Sequence, residues 1–203
     1  MTMEETVELK VSLVAHTPQP QKVIEEAGRT CYLSFENIEA HSHAEFIRRL
    51  IKLGHESPLE HAYATFRIQN GSRAMTHQLV RHRLMAVSQQ SQRYVSEEHF
   101  SYVIPETMPA EYVEDYRRDM EVIQEMYHKW RQRGLKKEDA RFVLPNACTS
   151  EIMVSANFRE WRHILQVRTS KKAQWEIRNA CRQILEILKG LAPDCFEDIA
   201  AAE

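Results

Sequence analysis

The 203-residue sequence predicts a single α+β domain in which a sheet of few strands, mixed or antiparallel, packs with several long helices. Stretches that alternate apolar and polar residues are few, whereas stretches with apolar residues every three or four positions are many. Strands and helices do not alternate regularly, and no G-x-G-x-x-G segment follows a strand, so a Rossmann fold is not expected. The chain from 1 to 203, with 43% hydrophobic residues, is long enough for one domain with a sizeable core.

Alternation of apolar and polar residues predicts three strands. Residues 6–15 alternate valines and leucines with polar residues, as a half-buried strand does. Residues 62–69 alternate alanine, phenylalanine and isoleucine with polar residues, and Asn70-Gly71 is expected to turn the chain after them. Residues 150–156 are the third candidate.

Helical spacing of apolar residues predicts most of the remaining elements. A helix capped by Ser72 is expected to carry Gln78 and Arg81 on one face, because these residues lie three apart. Residues 84–95 are expected to leave that helix as a loop. The other predicted helices span residues 21–31, 43–53, 112–133, 137–142, 157–167 and 172–190, with a short helix from Pro193.

The helix predicted over residues 112–133 carries apolar residues at steps of three and four along its whole length, in a heptad pattern. Such a seam either packs within its own domain or contacts another subunit. The sequence leaves both possibilities open. Glycines at 54 and 134 are the expected stops of two of the helices.

Composition argues against several classes of protein. No apolar run approaches about 18 residues and the N-terminus lacks a signal-peptide segment, so a cytoplasmic chain without a membrane span is expected. The net charge of −2 does not favour a nucleic-acid partner. No two cysteines have the spacing of metal ligands or of a C-x-x-C motif. Free, mostly buried thiols and no metal site are therefore expected. The four cysteines are Cys31, Cys148, Cys181 and Cys195.

Residues 78–94, QLVRHRLMAVSQQSQRY, form the most unusual stretch. Arg81, His82 and Arg83 are adjacent, and no acid occurs between positions 78 and 96. Because like charges repel, this run requires a counter-anion, and arginine, serine and glutamine together suit a phosphate group. A solvated surface run is the simplest alternative interpretation.

The stretch resembles a known family. Arg81-His82-Arg83, seven residues and then Ser91 match the R-H-R-x7-S signature of flavin-dependent thymidylate synthases. The segments GHESPLEH (54–61), DARFVLP (139–145) and NFREWRHILQVRTSKKAQWEIR (157–178) resemble further family segments, so the similarity runs from about residue 20 to 190. The chain departs from the family at Gln89, where many relatives have glutamate, and at Ile164, where phenylalanine is common.

The resemblance implies a methyltransferase that makes dTMP from dUMP by reductive methylation. It implies 5,10-methylenetetrahydrofolate as the one-carbon donor, tetrahydrofolate as a product, FADH2 as the hydride source and NADPH as the reductant that regenerates it. It implies no protein cysteine nucleophile and an FAD site built without a Rossmann fold. It also implies a homotetramer whose active sites are shared between subunits.

The matching positions assign site residues. The implied catalytic residues are Arg168, expected beside the uracil ring, and Ser91, expected close to the pyrimidine and phosphate. The implied dUMP residues are Gln78, Arg81, Gln89, Gln90, Ser91, Arg93, Arg141 and Arg168. The implied FAD residues are His55, Ser57, Arg81, His82, Arg83, Gln89, Asn157, Arg159 and His163.

Two other hypotheses remain. A nucleotide- or RNA-binding module would use Arg81, Arg83 and Arg93 for phosphate alone; it would be colourless, and its affinity would fall steeply with salt. A flavin enzyme would be yellow. A purely structural helical oligomer does not explain why polar and basic residues recur together in three separated segments.

Overall fold

The computed structural model describes residues 7–200, which contain four β-strands and eight α-helices joined by short 3-10 turns. The strands are β1 (Lys10–His16), β2 (Tyr63–Ser72), β3 (Ala86–Gln89) and β4 (Thr149–Asn157). They form one antiparallel sheet in the order β1-β2-β4-β3. The predicted α+β class is confirmed. The predicted start of the first strand at residue 6 lies outside the described residues, and β1 begins at Lys10.

The helices match the predicted spans within a few residues. Positive φ angles of 74° at Gly54 and 89° at Gly134 follow the second and fourth helices, as expected for glycine stops. The helices are α1 (Pro20–Thr30), α2 (Ser42–Lys52), α3 (Arg73–Leu79), α4 (Val113–Gln132), α5 (Lys137–Ala140), α6 (Phe158–Arg168), α7 (Trp175–Leu191) and α8 (Pro193–Phe196).

Side-chain caps explain where α3 and α7 begin, and the start of α7 is shifted from the prediction. Ser72 caps α3 by accepting a hydrogen bond from the backbone of Met75 at 3.0 Å, as predicted. Helix α7 begins three residues later than predicted. Its cap is Gln174, whose side-chain oxygen accepts hydrogen bonds from the backbone of Glu176 and Ile177 at 3.1 and 3.3 Å.

The turn predicted at Asn70-Gly71 is wrong, because β2 continues through both residues to Ser72. Asn70 adopts the left-handed conformation with φ of 61°, and its side-chain amide donates to the backbone oxygen of Glu8 at 2.9 Å. This hydrogen bond joins residues 62 positions apart, and asparagine tolerates the left-handed conformation better than most residues, so the strand continues through Asn70.

The loop predicted for residues 84–95 is wrong in part, because β3 occupies Ala86–Gln89. Gln90 extends the pairing by donating its backbone N–H to Glu151 in β4 at 2.8 Å. Only the first two residues of β3 are apolar, so the segment lacks the alternation that identifies a half-buried strand.

Helix α3 ends at Leu79, so the prediction that Gln78 and Arg81 share a helix face is wrong. Met75 and Leu79 are the buried apolar residues of the helix. The next positions on that face are His82 and Arg83, which offer no apolar surface to bury, so packing does not support another turn.

The chain forms two compact units. The first unit is the described part of Met1–Lys10 with Ile68–Arg81 and Ser88–Ile152, and the second is Val11–Arg67, His82–Val87 and Met153–Glu203, again as far as residue 200. Strands β2 and β4 each begin in one unit and end in the other. That residues 1–203 form a single domain stays a prediction.

The core of the second unit is built around α6 and α7. Trp161 is fully buried, packs edge-on against Phe66 with ring centroids 5.1 Å apart, and donates its indole N–H to Ala64 at 3.0 Å. One face of α7 is fully buried as well: Ile177, Cys181, Ile184 and Leu188.

The core of the first unit contains the heptad seam of α4. Phe100, Met120 and Cys148 are buried together, and Tyr116 and Ile123 pack against them. This part of the seam therefore packs within its own unit.

Within residues 7–200, no helix has both the length and the apolar character needed to span a membrane.

Candidate functional site

Most residues predicted for dUMP lie in one unit, and most residues predicted for FAD lie in the other. The first unit holds every residue predicted for dUMP except Arg168, and the second holds every residue predicted for FAD except Arg81 and Gln89. The first unit contains Gln78, Arg81, Gln89, Gln90, Ser91, Arg93 and Arg141. The second contains His55, Ser57, His82, Arg83, Asn157, Arg159, His163 and Arg168.

In the first unit, Gln89 lies at the end of β3 beside two hydroxyl groups. Its amide nitrogen donates to Thr76 Oγ1 at 2.9 Å and to Ser150 Oγ at 3.2 Å. A glutamate at this position could only accept from those hydroxyls, whereas the glutamine amide donates to them. Both amide hydrogens are used, so the amide oxygen is the group that Gln89 can offer to a ligand.

Gln90, the next residue, is held from several sides. Its amide nitrogen donates to Glu97 Oε1 at 3.2 Å, and its amide oxygen accepts from the backbone of Glu151 at 3.3 Å. Its backbone oxygen accepts from Arg73 Nη1 at 3.3 Å. The side chain of Gln90 is therefore committed to the protein on both of its polar atoms.

Ser91 and Arg93 form a local turn that is already partly neutralised. Ser91 Oγ accepts from the backbone N–H of Arg93 at 3.2 Å. The Arg93 guanidinium forms an exposed ion pair with Glu138 at 2.5 Å, and Arg141 Nε donates to the backbone oxygen of Glu138 at 3.0 Å. An exposed ion pair of this kind contributes little free energy to the stability of the fold. A phosphate dianion can therefore compete with Glu138 for Arg93.

Arg81 and Arg83 lie in the turn after α3 and are exposed. Across the described residues 7–200, neither guanidinium has a hydrogen bond or ion pair. Two exposed cations without a carboxylate are suited to an anionic ligand.

In the second unit, His82 connects two predicted motifs. Its Nε2 accepts from Arg168 Nε at 3.0 Å across 86 positions of sequence, and its ring lies 5.7 Å from that of His163. Burial lowers the pKa of His82 to about 4, and the charges of Arg168 and His163 act in the same direction. His82 is therefore neutral at pH 7 and serves as an acceptor for Arg168.

The residues predicted for FAD offer suitable donor chemistry. His55 and Ser57 lie at the start of the short 3-10 helix Ser57–His61, and both are exposed. Asn157 caps α6 by accepting from Glu160 at 2.9 Å, which leaves its side-chain N–H groups as donors. Ring, hydroxyl, amide and guanidinium groups match the phosphate and carbonyl acceptors of a flavin dinucleotide, so these residues fit FAD.

Arg159 is the exception among these groups, because carboxylates already surround it. Its guanidinium lies 2.5 Å from Glu60 and 3.8 Å from Glu56, and the hydrogen bond that it donates to Glu60 raises the pKa of Arg159. Arg159 therefore ties α6 to the segment that carries His55 and Ser57.

The cysteines of the core are poor nucleophiles. Burial raises the pKa values of Cys148, Cys181 and Cys195 to about 12, and for Cys148 the nearby Glu97 carboxylate adds to the effect. At pH 7 only roughly one such thiol in 10⁵ is ionised.

Sequence reasoning missed Glu97 and Arg73, which hold Gln90 from two sides. Glu97 is the first acid after a long acid-free stretch, which is the one signal that could have singled it out. A separate cavity of about 260 Å³ in the second unit, lined by Lys22, Glu25 and neighbouring residues, contains none of the predicted site residues.

Comparisons with known proteins agree with the motifs. Residues 12–194 match the family model described as thymidylate synthase complementing protein. A flavin-dependent thymidylate synthase from Geobacter sulfurreducens is 40% identical over 200 residues, covering 94% of this chain and 86% of the relative. One from Pyrococcus abyssi is 40% identical over 190 residues, covering 88% of this chain and 78% of the relative.

Two solved structures are also similar. Thymidylate synthase X from Helicobacter pylori, crystallised with FAD and dUMP, gives a TM-score of 0.73 at 26% identity and covers 95% of this chain and 99% of that one. A UMP/dUMP methylase from Streptomyces cacaoi, bound with 5-Br dUMP, gives a TM-score of 0.81 at 25% identity and covers 94% of this chain and 93% of that one.

Proposed function

Because the chain belongs to the flavin-dependent thymidylate synthase family, we propose that it makes dTMP from dUMP by reductive methylation. The one-carbon donor is 5,10-methylenetetrahydrofolate, the hydride comes from FADH2, and NADPH regenerates the reduced flavin. The observation that carries the proposal is the hydrogen bond between His82 and Arg168, which joins two motif segments far apart in sequence.

Arg168 is the residue assigned to the chemistry. Uracil C5 is a poor nucleophile, and it becomes a better one as negative charge develops on the ring when N3 is deprotonated. A permanently cationic guanidinium stabilises that charge. The hydrogen bond to neutral His82 fixes the orientation of Arg168 without placing another full positive charge beside it.

The first unit provides the residues proposed for dUMP other than Arg168. Gln89 offers its amide oxygen, and Arg93 and Arg141 offer positive charge for the phosphate. Ser91 is a positioning group, because its hydroxyl accepts from the backbone of Arg93 and shapes the turn. Gln78, Arg81 and Gln90 complete the proposed set.

FAD, when bound and reduced by NADPH, would supply the hydride and the electron chemistry that side chains lack. The protein's part is to hold it with the exposed donors His55, Ser57 and Arg83 and with half-buried Asn157. Arg81, His82, Gln89, Arg159 and His163 are the remaining proposed contacts. The three buried cysteines take no part as nucleophiles, since their thiols are protonated at neutral pH.

We also propose a cytoplasmic homotetramer whose active sites are shared between subunits. Several large apolar side chains are exposed, which supports burial against further copies. The most exposed are Phe142 at 84%, Leu33 and Leu84 at 75%, Tyr32 at 74% and Tyr94 at 73%. Light scattering on the FAD-loaded protein tests the stoichiometry, and a monomer would contradict it.

The test of function is product formation. FAD-loaded protein is incubated with dUMP, 5,10-methylenetetrahydrofolate and NADPH, and dTMP is measured by mass spectrometry. We expect dTMP only when all three are present. A parallel reaction with UMP tests for the ribonucleotide activity of the Streptomyces cacaoi relative's class. Folded, FAD-loaded protein that yields no dTMP contradicts the proposal, and a colourless protein with salt-sensitive phosphate affinity supports the phosphate-binding module instead.

A further inference from the structure

We propose that Glu97 is a positioning residue for the dUMP site: its buried carboxylate holds the Gln90 side chain and thereby fixes the loop that carries Ser91. This inference rests on the proposed function, because it assumes that the loop after β3 binds dUMP.

Glu97 is an unusual residue for a core. It is 4% exposed, and its backbone N–H donates to the hydroxyl of fully buried Tyr127 in α4 at 3.4 Å. One carboxylate oxygen accepts from Gln90 Nε2 at 3.2 Å and the other from Cys148 Sγ at 3.9 Å. Burying a carboxylate costs free energy that an apolar residue of similar size would not require. A role beyond packing accounts for its presence.

The groups around Glu97 converge on Gln90. The backbone N–H of Gln90 donates to Glu151 in β4 at 2.8 Å, and its side-chain oxygen accepts from the backbone of Glu151 at 3.3 Å. Arg73 donates to the backbone oxygen of Gln90 at 3.3 Å. Glu97 supplies the remaining bond, so Gln90 is fixed by β4, by α3 and by the segment that Tyr127 anchors to α4.

This arrangement distinguishes Gln90 from a simple ligand residue. Its amide oxygen and one amide hydrogen are engaged within the protein, and it directly precedes Ser91. Removal of the Glu97 acceptor would leave a donor of Gln90 unsatisfied, and the loop would shift to find another partner. The shift would weaken dUMP binding, whereas the flavin content of the protein would be unchanged.

The test compares Glu97→Met, which removes the acceptor but keeps the volume, with Glu97→Gln, which keeps one acceptor oxygen. The matched control is Glu98→Gln, the neighbouring acid. For Glu97→Met we expect the dissociation constant and KM for dUMP to rise about tenfold, as for a lost buried hydrogen bond. Glu97→Gln is expected to recover part of that loss. FAD content and Tm should match the control, because an apolar isostere tolerates burial.

Wild-type dUMP affinity in Glu97→Met would overturn the proposal, as would parallel losses of Tm, FAD content and dUMP affinity, which mark a merely structural role. If Glu97→Met does not fold, Glu97→Gln decides on the same measurements, with unchanged dUMP affinity as the overturning result. Hydrogen exchange of the backbone N–H of Gln90 gives a readout that is independent of catalysis. We expect this exchange to be faster in Glu97→Met than in the control, and equal exchange rates would overturn the proposal. If wild-type protein forms no dTMP, the proposed function fails while the exchange result still decides whether Glu97 positions the loop.

Discussion

At the scale of single residues, one hydrogen bond determines the protonation state of a histidine. Arg168 Nε is a donor only, so His82 Nε2 must be unprotonated to accept from it. Burial acts in the same direction by lowering the pKa of His82 to about 4. His82 is therefore best understood as a neutral support for Arg168.

Replacement of His82 by glutamine should change how stability depends on pH. The pKa of His82 is about 4 in the folded protein and about 6.5 in the unfolded chain, so the unfolded state binds more protons between these values. The contribution of neutral His82 to the free energy of unfolding is complete above about pH 6.5 and is lost as the pH falls toward 4. We expect the wild type to lose more stability than His82→Gln between pH 7 and pH 5, measured by urea unfolding. Parallel losses would contradict the assigned protonation state.

Arg168→Ala should retain bound flavin and lose most turnover. Loss of one charge-stabilising donor from an active site lowers kcat by about 10²- to 10³-fold. The matched control is Arg118→Ala on α4, where the arginine forms an exposed pair with Asp115 at 2.9 Å that contributes little. Flavin absorbance and steady-state dTMP formation are measured on both variants. Full activity in Arg168→Ala would refute the role proposed for this residue.

Cys148→Ser should remain active. The Cys148 thiol is fully buried with a pKa of about 12, so it supplies almost no thiolate at neutral pH. A serine hydroxyl can still donate to Glu97, which preserves the local hydrogen bond. We expect kcat within about twofold of wild type, since no bond to sulfur forms. A folded variant without turnover would point to a cysteine mechanism.

The sequence assigned ligand-binding roles to Arg81, His82 and Ser91 through a contiguous motif, and those roles stay predictions. It could not predict Glu97, because the groups that give this acid its role come from Gln90, Cys148 and Tyr127, which only the fold brings together. The ion pairing of Arg93 with Glu138 was hidden for the same reason.

At the scale of elements, the glycine that ends α4 should be sensitive to substitution. Gly134 has φ of 89°, a conformation that costs a side-chain-bearing residue about 1 kcal/mol. Gly134→Ala should therefore reduce the free energy of unfolding by about that amount. Gly190 in α7 has open space around it, so Gly190→Ala should stabilise by about 0.5 kcal/mol. Urea denaturation measures both, and equal effects would contradict the conformational explanation.

Elements were predictable where burial imposes a period. Ala64, Phe66 and Ile68 alternate because one face of β2 is fully buried. Strand β3 was not predictable, because it is short, lies at the edge of the sheet and depends on pairing with β4 about 60 residues later. The end of α3 was not predictable either, because it depends on whether the residues after Leu79 can be buried in the core.

At the scale of the whole molecule, the α+β class followed from the scarcity of alternating stretches and the absence of a Rossmann motif. The division into two compact units did not follow, since β2 and β4 run through both and no linker composition separates them. The sequence also did not indicate that most residues proposed for dUMP lie in the first unit and most residues proposed for FAD lie in the second, because Arg81 and His82 are adjacent.

The identity of the folate product after a single turnover tests the central claim most directly. FAD-loaded protein is reduced, freed of reductant, and given dUMP and 5,10-methylenetetrahydrofolate without NADPH. Hydride transfer from FADH2 predicts dTMP in proportion to the flavin oxidised, with tetrahydrofolate as the folate product. Formation of dTMP with dihydrofolate while the flavin stays reduced would contradict the claim, and so would the absence of dTMP.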